Sequence, residues 1–188
     1  MLVILIILAI LGLAGYFVSM IACNRLNLIG NNFEVFDIKT WKKYWISRSV
    51  AVSCFVFRTD ADGERYVLAN KRGPGTPDFQ GCWNCVCGYM DFDETGTEAA
   101  MREIEEETGL TFDESFLSLQ EVITDPTENS RQNIILRYVA ELTTTDVYPI
   151  DCEGGEEDEV EEVKWINVRD IDKYPWAFNH LAVIRKLC

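Results

Sequence analysis

The segment GYMDFDETGTEAAMREIEEETGL, residues 88–110, decides how this sequence is interpreted. Thr95 and Glu98 have the spacing of a capping box, in which each side chain binds the backbone N–H of the other residue. Good helix formers follow them, and Gly109 stands where a left-handed residue ends many helices. The sequence therefore predicts a helix from about residue 96 to residue 108.

One face of this predicted helix carries carboxylates. At about 100° per residue, Glu103, Glu106 and Glu107 fall in one narrow arc, whereas Ala100 and Ile104 fall on the arc that faces a core. Like charges three and four residues apart cost about 0.2–0.5 kcal/mol per pair, and the negative end of the helix dipole adds to this cost. A hard divalent cation would reverse the sign of these terms, because it takes carboxylate oxygens as ligands. The pattern indicates a metal site, and it leaves Glu98 with Arg102 as the favourable pair four residues apart.

The segment resembles the Nudix box, G-x5-E-x7-R-E-U-x-E-E-x-G-U with U aliphatic, at every specified position. Gly88, Glu94 and the run from Arg102 to Leu110 carry this resemblance. The competing interpretation is a charged, solvated helix with a glycine cap. That interpretation suits Glu105 alone, because Glu105 points away from the cluster and the pattern leaves its position open.

The resemblance implies hydrolysis of a phosphoanhydride bond in a nucleoside diphosphate linked to another group. ADP-ribose, dinucleotides, nucleotide sugars and nucleoside triphosphates are the open substrates, with water as the nucleophile. Glu103, Glu106 and Glu107 would hold Mg²⁺ or Mn²⁺, and Glu106, Glu107 and Arg102 would be the catalytic residues. Arg102 is expected to orient the glutamates, and Glu94 to secure the loop before the helix or complete the outer shell of the metal. The alternative is a membrane-tethered sensor that uses the Nudix fold to bind a nucleotide without cleaving it.

Other candidates for the site are weaker. Gly88, which has no side chain, is expected to allow close approach to the helix or to a substrate phosphate, and Arg72 is expected to meet phosphate. Arg131 and Arg137 are further phosphate candidates, although single arginines on strand edges are usually surface charges. An alternative base could come from the acidic run, at Glu156, Glu157 or Glu159. Phe79 and Trp83 could stack on a nucleobase, although aromatic side chains more often pack in a core. His180 is expected to be a packed or capping residue. Relatives often have Pro-Gly-Gly before the box, whereas Val86 and Cys87 stand here, and a side chain at position 87 would narrow the approach to a diphosphate.

Residues 1–23 contain no Asp, Glu, Lys or Arg. As a helix they would be about 34 Å long, enough to cross a hydrocarbon core of about 30 Å. The sequence thus predicts a transmembrane anchor, and the basic residues that follow it place the remaining chain in the cytoplasm. A lipoprotein signal ending at Cys23 is the open alternative. Residues 24–46 are interpreted as a juxtamembrane linker, with Trp41, Tyr44 and Trp45 near the interface.

The net charge is -14. Such a surface repels nucleic acid polymers and favours small nucleotide-like substrates that are recruited locally. The 7 cysteines are an odd number and suggest a reducing compartment. Cys82, Cys85 and Cys87 could nucleate a zinc site, but structural thiols in a strand are favoured, since no second pair of ligands at finger spacing follows.

The predicted fold class is α/β, a Nudix-type α/β/α sandwich with a mixed sheet, preceded by the transmembrane helix. Residues 47–188 form the domain, and the resemblance covers about residues 47–186. Strands are expected at about 49–57, 65–70, 83–87, 117–124 and 133–142, with a Gly/Pro loop at 71–81, an acidic loop at 151–162 and a last helix at about 176–187.

Overall fold

The computed structural model describes residues 33–37, 42–127, 133–142 and 158–188. The chain divides into two compact units at Arg48/Ser49. The described part of the first unit is an antiparallel hairpin, in which β1 pairs with β2. The helices and strands are β1 (Phe33–Asp37), β2 (Lys42–Ile46), β3 (Val50–Thr59), β4 (Arg65–Arg72), β5 (Trp83–Asn84), β6 (Cys87–Tyr89), α1 (Gly96–Thr108), β7 (Leu117–Ile123), β8 (Ile134–Leu142), β9 (Val160–Asn167) and α2 (His180–Leu187), with short 3₁₀ helices at Glu114–Phe116 and Val168–Lys173.

The second unit contains a mixed sheet of 7 strands in the order β5-β4-β3-β8-β7, with β6 beside β3 and β9 beside β4. The central pair β3 and β8 is parallel, and the other pairs are antiparallel. β3 reads as a run of branched and aromatic residues because both of its faces are buried, as is typical of central strands.

Helices cover both faces of this sheet. Cys54 and Val56 of β3 point to one face, where Ile104 of α1 belongs to the same core cluster. Phe55 and Phe57, which alternate with them, point to the other face and share a cluster with residues of α2. The predicted α/β sandwich with a mixed sheet is therefore confirmed.

The structure adds a hairpin to one expected segment and corrects two boundaries. The expected linker at 24–46 contains the β1–β2 hairpin, since both segments are rich in residues with high strand propensity. The expected acidic loop ends earlier, because residues 160–162 already belong to β9 and pair with β4. The last helix begins at His180 and not at residue 176, because a backbone bridge holds Trp176 against Trp83.

The predicted transmembrane segment at 1–23 lies outside the described residues. Among the residues that are described, no helix is long and apolar enough to cross a membrane.

Candidate active site

Local capping signals place the carboxylate face of α1. Thr95 accepts a hydrogen bond from the Glu98 backbone N–H at 3.2 Å, and the Glu98 carboxylate accepts from the Thr95 N–H at 2.7 Å. Gly109 ends the helix in the left-handed region at φ 65°. The predicted helix bounds and both caps are confirmed. The predicted Glu98–Arg102 pair is wrong, because Glu98 serves the cap while Arg102 binds other carboxylates.

Arg102 connects the loop before α1 to the helix. Its Nε and Nη2 donate to the two carboxylate oxygens of Glu94 at 3.1 and 2.8 Å. Its Nη1 donates to Glu103 and Glu106, at 2.9 Å in each case, and Nη2 also donates to the Tyr89 carbonyl oxygen at 3.0 Å. The hydrogen bond from Arg102 lowers the pKa of Glu94. Charge-assisted, bidentate bonds of this kind fix geometry as well as charge, so Arg102 holds three carboxylates in one arrangement.

Glu107 lies deeper than the other acidic residues of this face. Asn70 of β4 donates its side-chain amide to the Glu107 carboxylate. Burial, followed by the negative charge of Glu103, raises the pKa of Glu107 well above its usual range. Burial also raises the pKa of Glu103, against the opposing effect of Arg102. A nearby cation stabilises the ionised form of adjacent carboxylates whose pKa values are raised. The two glutamates therefore have the electrostatic environment of a metal site.

Gly88 allows the strand β6 to pass directly beside this face. A Cβ atom at position 88 would lie less than 3.0 Å from Cδ and both carboxylate oxygens of Glu103. The first glycine of the segment therefore leaves room for a carboxylate. The sequence predicts a close approach at Gly88, and the structure identifies Glu103 as the group that approaches.

The carboxylates have the donor chemistry of a divalent-cation site, since hard cations take oxygen ligands. In the described part of the chain, no three His, Cys, Asp or Glu side chains converge on one point. Glu103 and Glu106 bind the Arg102 guanidinium, while Glu107 binds Asn70. These oxygens are suitable ligands for a divalent cation, which would compete with Arg102 for them. The side chain of Glu106 is 54% exposed and therefore accessible to such a cation.

A cavity of about 870 Å³ opens beside the carboxylate face, in the size range typical of small-molecule sites. Glu103, Glu106 and Glu107 line one wall. The cationic side chains among its lining residues are Arg72, Arg102 and Arg137. Arg102 binds three carboxylates, whereas Arg72 and Arg137 each pair with one, so these two are the cations better placed to meet an anionic substrate.

Arg72 and Arg137 are held in different ways. Arg72 donates from Nε to the backbone oxygen of Asp78 at 3.0 Å and from Nη2 to its carboxylate at 2.9 Å. Arg137 lies on the central strand β8, is 7% exposed and pairs with Glu121. The expectation that lone arginines are surface charges is therefore wrong for Arg137, because its strand runs through the middle of the sheet.

His180 is a packed residue, as predicted. It is buried, and its Nδ1 accepts a hydrogen bond from the Cys85 backbone N–H at 3.0 Å. Burial, with the positive charges of Arg137 and Arg72, lowers the pKa of His180 to about 3. The ring is neutral, and its proton is on Nε2.

The remaining candidates divide between core, cavity and the part of the chain that is not described. Trp83 is buried and packs edge to face on Tyr174, so it is a core residue. Phe79, Glu159 and Cys87 line the cavity. Arg131, Glu156 and Glu157 lie outside the described residues.

Among the cysteines, Cys85 is fully buried, and burial raises the pKa of Cys87 to about 12. Both are free thiols. The Cys87 sulfur accepts a weak hydrogen bond from Asn84 at 3.5 Å. Cys85 is buried, which agrees with a structural thiol, whereas Cys87 is half-buried at the cavity.

Sequence reasoning missed Asn70 and Phe178. Asn70 directly follows the apolar run Val67 to Ala69 in β4 and is itself buried. A polar amide immediately after an apolar strand run is a signal in the sequence that indicates a functional role. Phe178 carries no such signal, because only the fold brings it to the cavity.

Comparison with known proteins identifies the family. The NUDIX domain profile matches residues 47–187. The ADP-ribose pyrophosphatase of Methanocaldococcus jannaschii is 28% identical over 167 residues, which cover 85% of this chain and 87% of that protein. The isopentenyl-diphosphate Delta-isomerase of Clavibacter sepedonicus is 31% identical over 137 residues, which cover 69% of this chain and 67% of that protein. The solved NUDIX domain of Shewanella oneidensis NrtR, complexed with ADP ribose, has a TM-score of 0.63 at 21% identity, covering 81% of this chain and 91% of that chain. With a NUDIX domain that spans residues 47–187, the chain belongs to the Nudix hydrolase family.

Proposed function

We propose that this protein hydrolyses the phosphoanhydride bond of a nucleoside diphosphate linked to a second group, with Mg²⁺ or Mn²⁺ as cofactor and ADP-ribose as the first substrate to test. The observation that carries this proposal is the carboxylate face of α1, held by Arg102 at the wall of the cavity. The pyrophosphatase relative and the ADP-ribose complex of the similar fold support the choice of substrate.

The chain's own residues define the division of labour. Glu103, Glu106 and Glu107 would hold the cation, which when bound neutralises charge on the diphosphate and lowers the pKa of a bound water. Arg102 positions Glu103 and Glu106 through its two 2.9 Å bonds, and Glu94 anchors Arg102. Arg72, which lines the same cavity, would meet substrate phosphate.

One carboxylate takes the proton of the attacking water. Glu107 is the candidate within the box, and Glu159 is the described member of the acidic run that lines the cavity. Glu159→Gln separates them, because loss of the base lowers kcat whereas a lining carboxylate without that role leaves kcat unchanged. Glu107→Gln lowers kcat in either case, since Glu107 would also hold the cation.

The test is a hydrolysis screen with Mg²⁺ and with Mn²⁺ over ADP-ribose, NADH, nucleotide sugars, nucleoside triphosphates and isopentenyl diphosphate. Glu106→Gln and Glu107→Gln should abolish most turnover. Glu105→Gln is the matched control, since Glu105 lies on the same helix and is exposed. If the wild type binds a nucleotide and cleaves none, the protein is a nucleotide sensor. If only isopentenyl diphosphate reacts, the proposal fails as well.

We also propose that residues 1–23 anchor the protein in a membrane with the NUDIX domain in the cytoplasm. The support is the uncharged segment and the basic residues after it. Membrane fractions of cells that express the full chain should retain the protein after alkaline carbonate washing, and a chain without residues 1–23 should not be retained. Cys23→Ala distinguishes the lipoprotein alternative, because only lipid attachment at Cys23 requires the thiol.

A further inference from the structure

Two phenylalanines stand together at the cavity, apart from the carboxylate face. Phe79 lies in the Gly/Pro loop between β4 and β5, Phe178 lies just before α2, and both line the cavity. Their ring centroids are 4.9 Å apart, and the planes are inclined by 60°. Phe79 is 48% exposed and Phe178 is 45% exposed. About half of the surface of each residue is thus exposed.

Both phenylalanines have an unfavourable backbone conformation. Phe79 has φ 51° and Phe178 has φ 55°, in the left-handed region that glycine or asparagine occupies more easily. A bulky residue persists at such a position only when the surrounding structure determines it, and such residues cluster at ligand-binding sites. The backbone at these two positions does not favour phenylalanine, so we attribute its presence to the aromatic side chain at the cavity.

Hydrogen bonds around Trp83 hold the two segments in place. The Trp83 N–H donates to the Pro175 carbonyl oxygen at 2.8 Å, and the Ala177 N–H donates to the Trp83 carbonyl oxygen at 2.7 Å. On the other side, the Cys82 N–H donates to the Phe79 carbonyl oxygen at 3.0 Å. β5 therefore joins both segments before any ligand binds, and a preorganised surface of this kind lowers the entropic cost of binding.

A cation accompanies the aromatic pair. The Arg72 guanidinium lies 5.2 Å from the centroid of the Phe178 ring, and its two bonds to Asp78 fix its position. The same cavity thus combines aromatic faces, a cation beside them, and carboxylates that can hold a metal. A nucleotide has the matching parts, a planar base and an adjacent anionic diphosphate.

We propose that Phe79 and Phe178 form the base-stacking site. This pair would select a diphosphate that carries a nucleobase over an aliphatic diphosphate. This inference rests on the proposed function, because it assumes that the diphosphate lies between Arg72 and the carboxylate face. The alternative ligand of an apolar pair is an isoprenoid chain. The two ligands differ in one respect, since a base requires the π-face of the ring and a chain requires only apolar area.

Leucine substitution separates these requirements, because leucine keeps apolar area and has no π-face. Phe79→Leu and Phe178→Leu should each raise KM for ADP-ribose by about 5- to 150-fold with kcat unchanged, the range expected for one stacked base. Phe79→Leu is the cleaner variant, because Phe178 also contacts Arg72. KM for isopentenyl diphosphate or inorganic pyrophosphate, where turned over, should not change. Phe92→Leu is the matched control, since Phe92 is 79% exposed and does not line the cavity.

Calorimetric titration of ADP-ribose into each variant makes the result independent of turnover. Weaker binding by both leucine variants, with melting temperatures like that of Phe92→Leu, supports the stacking site even if the wild type cleaves nothing. In that case only the proposed function fails. Unchanged KM and Kd for ADP-ribose in both variants overturn the stacking site while hydrolysis by the wild type stands.

Discussion

Gly88→Ala should disable the site and leave the fold intact. The new Cβ atom would lie less than 3.0 Å from the end of the Glu103 side chain, whereas ordinary contacts begin at 3.4 Å. The carboxylate end of Glu103 is flexible, so it retreats by a distance on the order of 1 Å, a misplacement that can cost about 100-fold in rate. The backbone at Gly88 is not in the left-handed region. Alanine therefore adds no backbone strain, and the free energy of unfolding should change by less than about 1 kcal/mol.

The assay compares kcat/KM for ADP-ribose, Mn²⁺ affinity by electron paramagnetic resonance, and urea unfolding. A double-mutant cycle with Glu103→Ala identifies the cause, because residues in contact are non-additive. Without the Glu103 carboxylate, Gly88→Ala should have little further effect on Mn²⁺ affinity. If Gly88→Ala weakens Mn²⁺ binding equally in both backgrounds, or leaves the wild-type rate unchanged, the steric argument is refuted.

Three further predictions concern charge and capping. The pKa of His180 is about 3 in the fold against a usual 6.5, so only the unfolded chain takes up this proton between pH 7 and pH 5. Over this range the free energy of unfolding of the wild type, measured by urea titration, should fall by about 2 kcal/mol more than that of His180→Gln. An equal fall in both proteins would contradict this. Thr95→Ala should cost about 1 kcal/mol of unfolding free energy through loss of the helix cap, whereas Thr97→Ala in the same turn should be nearly neutral. Arg102→Lys keeps the charge but cannot span Glu94 and Glu103 together, so it should lower kcat/KM by about 100-fold and raise the Mg²⁺ concentration needed for half-maximal activity; Arg169→Lys, at an exposed ion pair, is the control and should change neither.

The helix of the site could be predicted from sequence because its signals are local. Thr95, Glu98 and Gly109 define both ends of α1 within the helix and its immediate neighbours. The 3.6-residue period then separates buried Ile104 from the carboxylate face. Neither inference needs a residue from elsewhere in the chain.

One error concerns partners that are distant in sequence. Glu161 and Glu162 read as part of a solvated acid run, yet they belong to β9, whose pairing with β4 spans about 90 residues of sequence. The other error is local, because the capping box itself uses the Glu98 carboxylate, so that Glu98 does not pair with Arg102. Once the cap holds Glu98, the guanidinium binds Glu94 in the preceding loop, which offers a bidentate partner.

The commitment of Arg102 determines how an acidic protein can bind an anionic substrate. With a net charge of -14, the surface as a whole repels diphosphates, and salt screens such long-range fields beyond about 8 Å at physiological ionic strength. Recognition must therefore come from charges inside the cavity. Arg102 is held by three carboxylates, whereas Arg72 and Arg137 each pair with one. Under the proposed function, Arg72, Arg137 and a cation on the carboxylate face of α1 would therefore meet the phosphates. Arg72 also lies beside Phe178, which links phosphate binding to the aromatic pair and makes a nucleotide, with its base and diphosphate joined, the ligand that uses both.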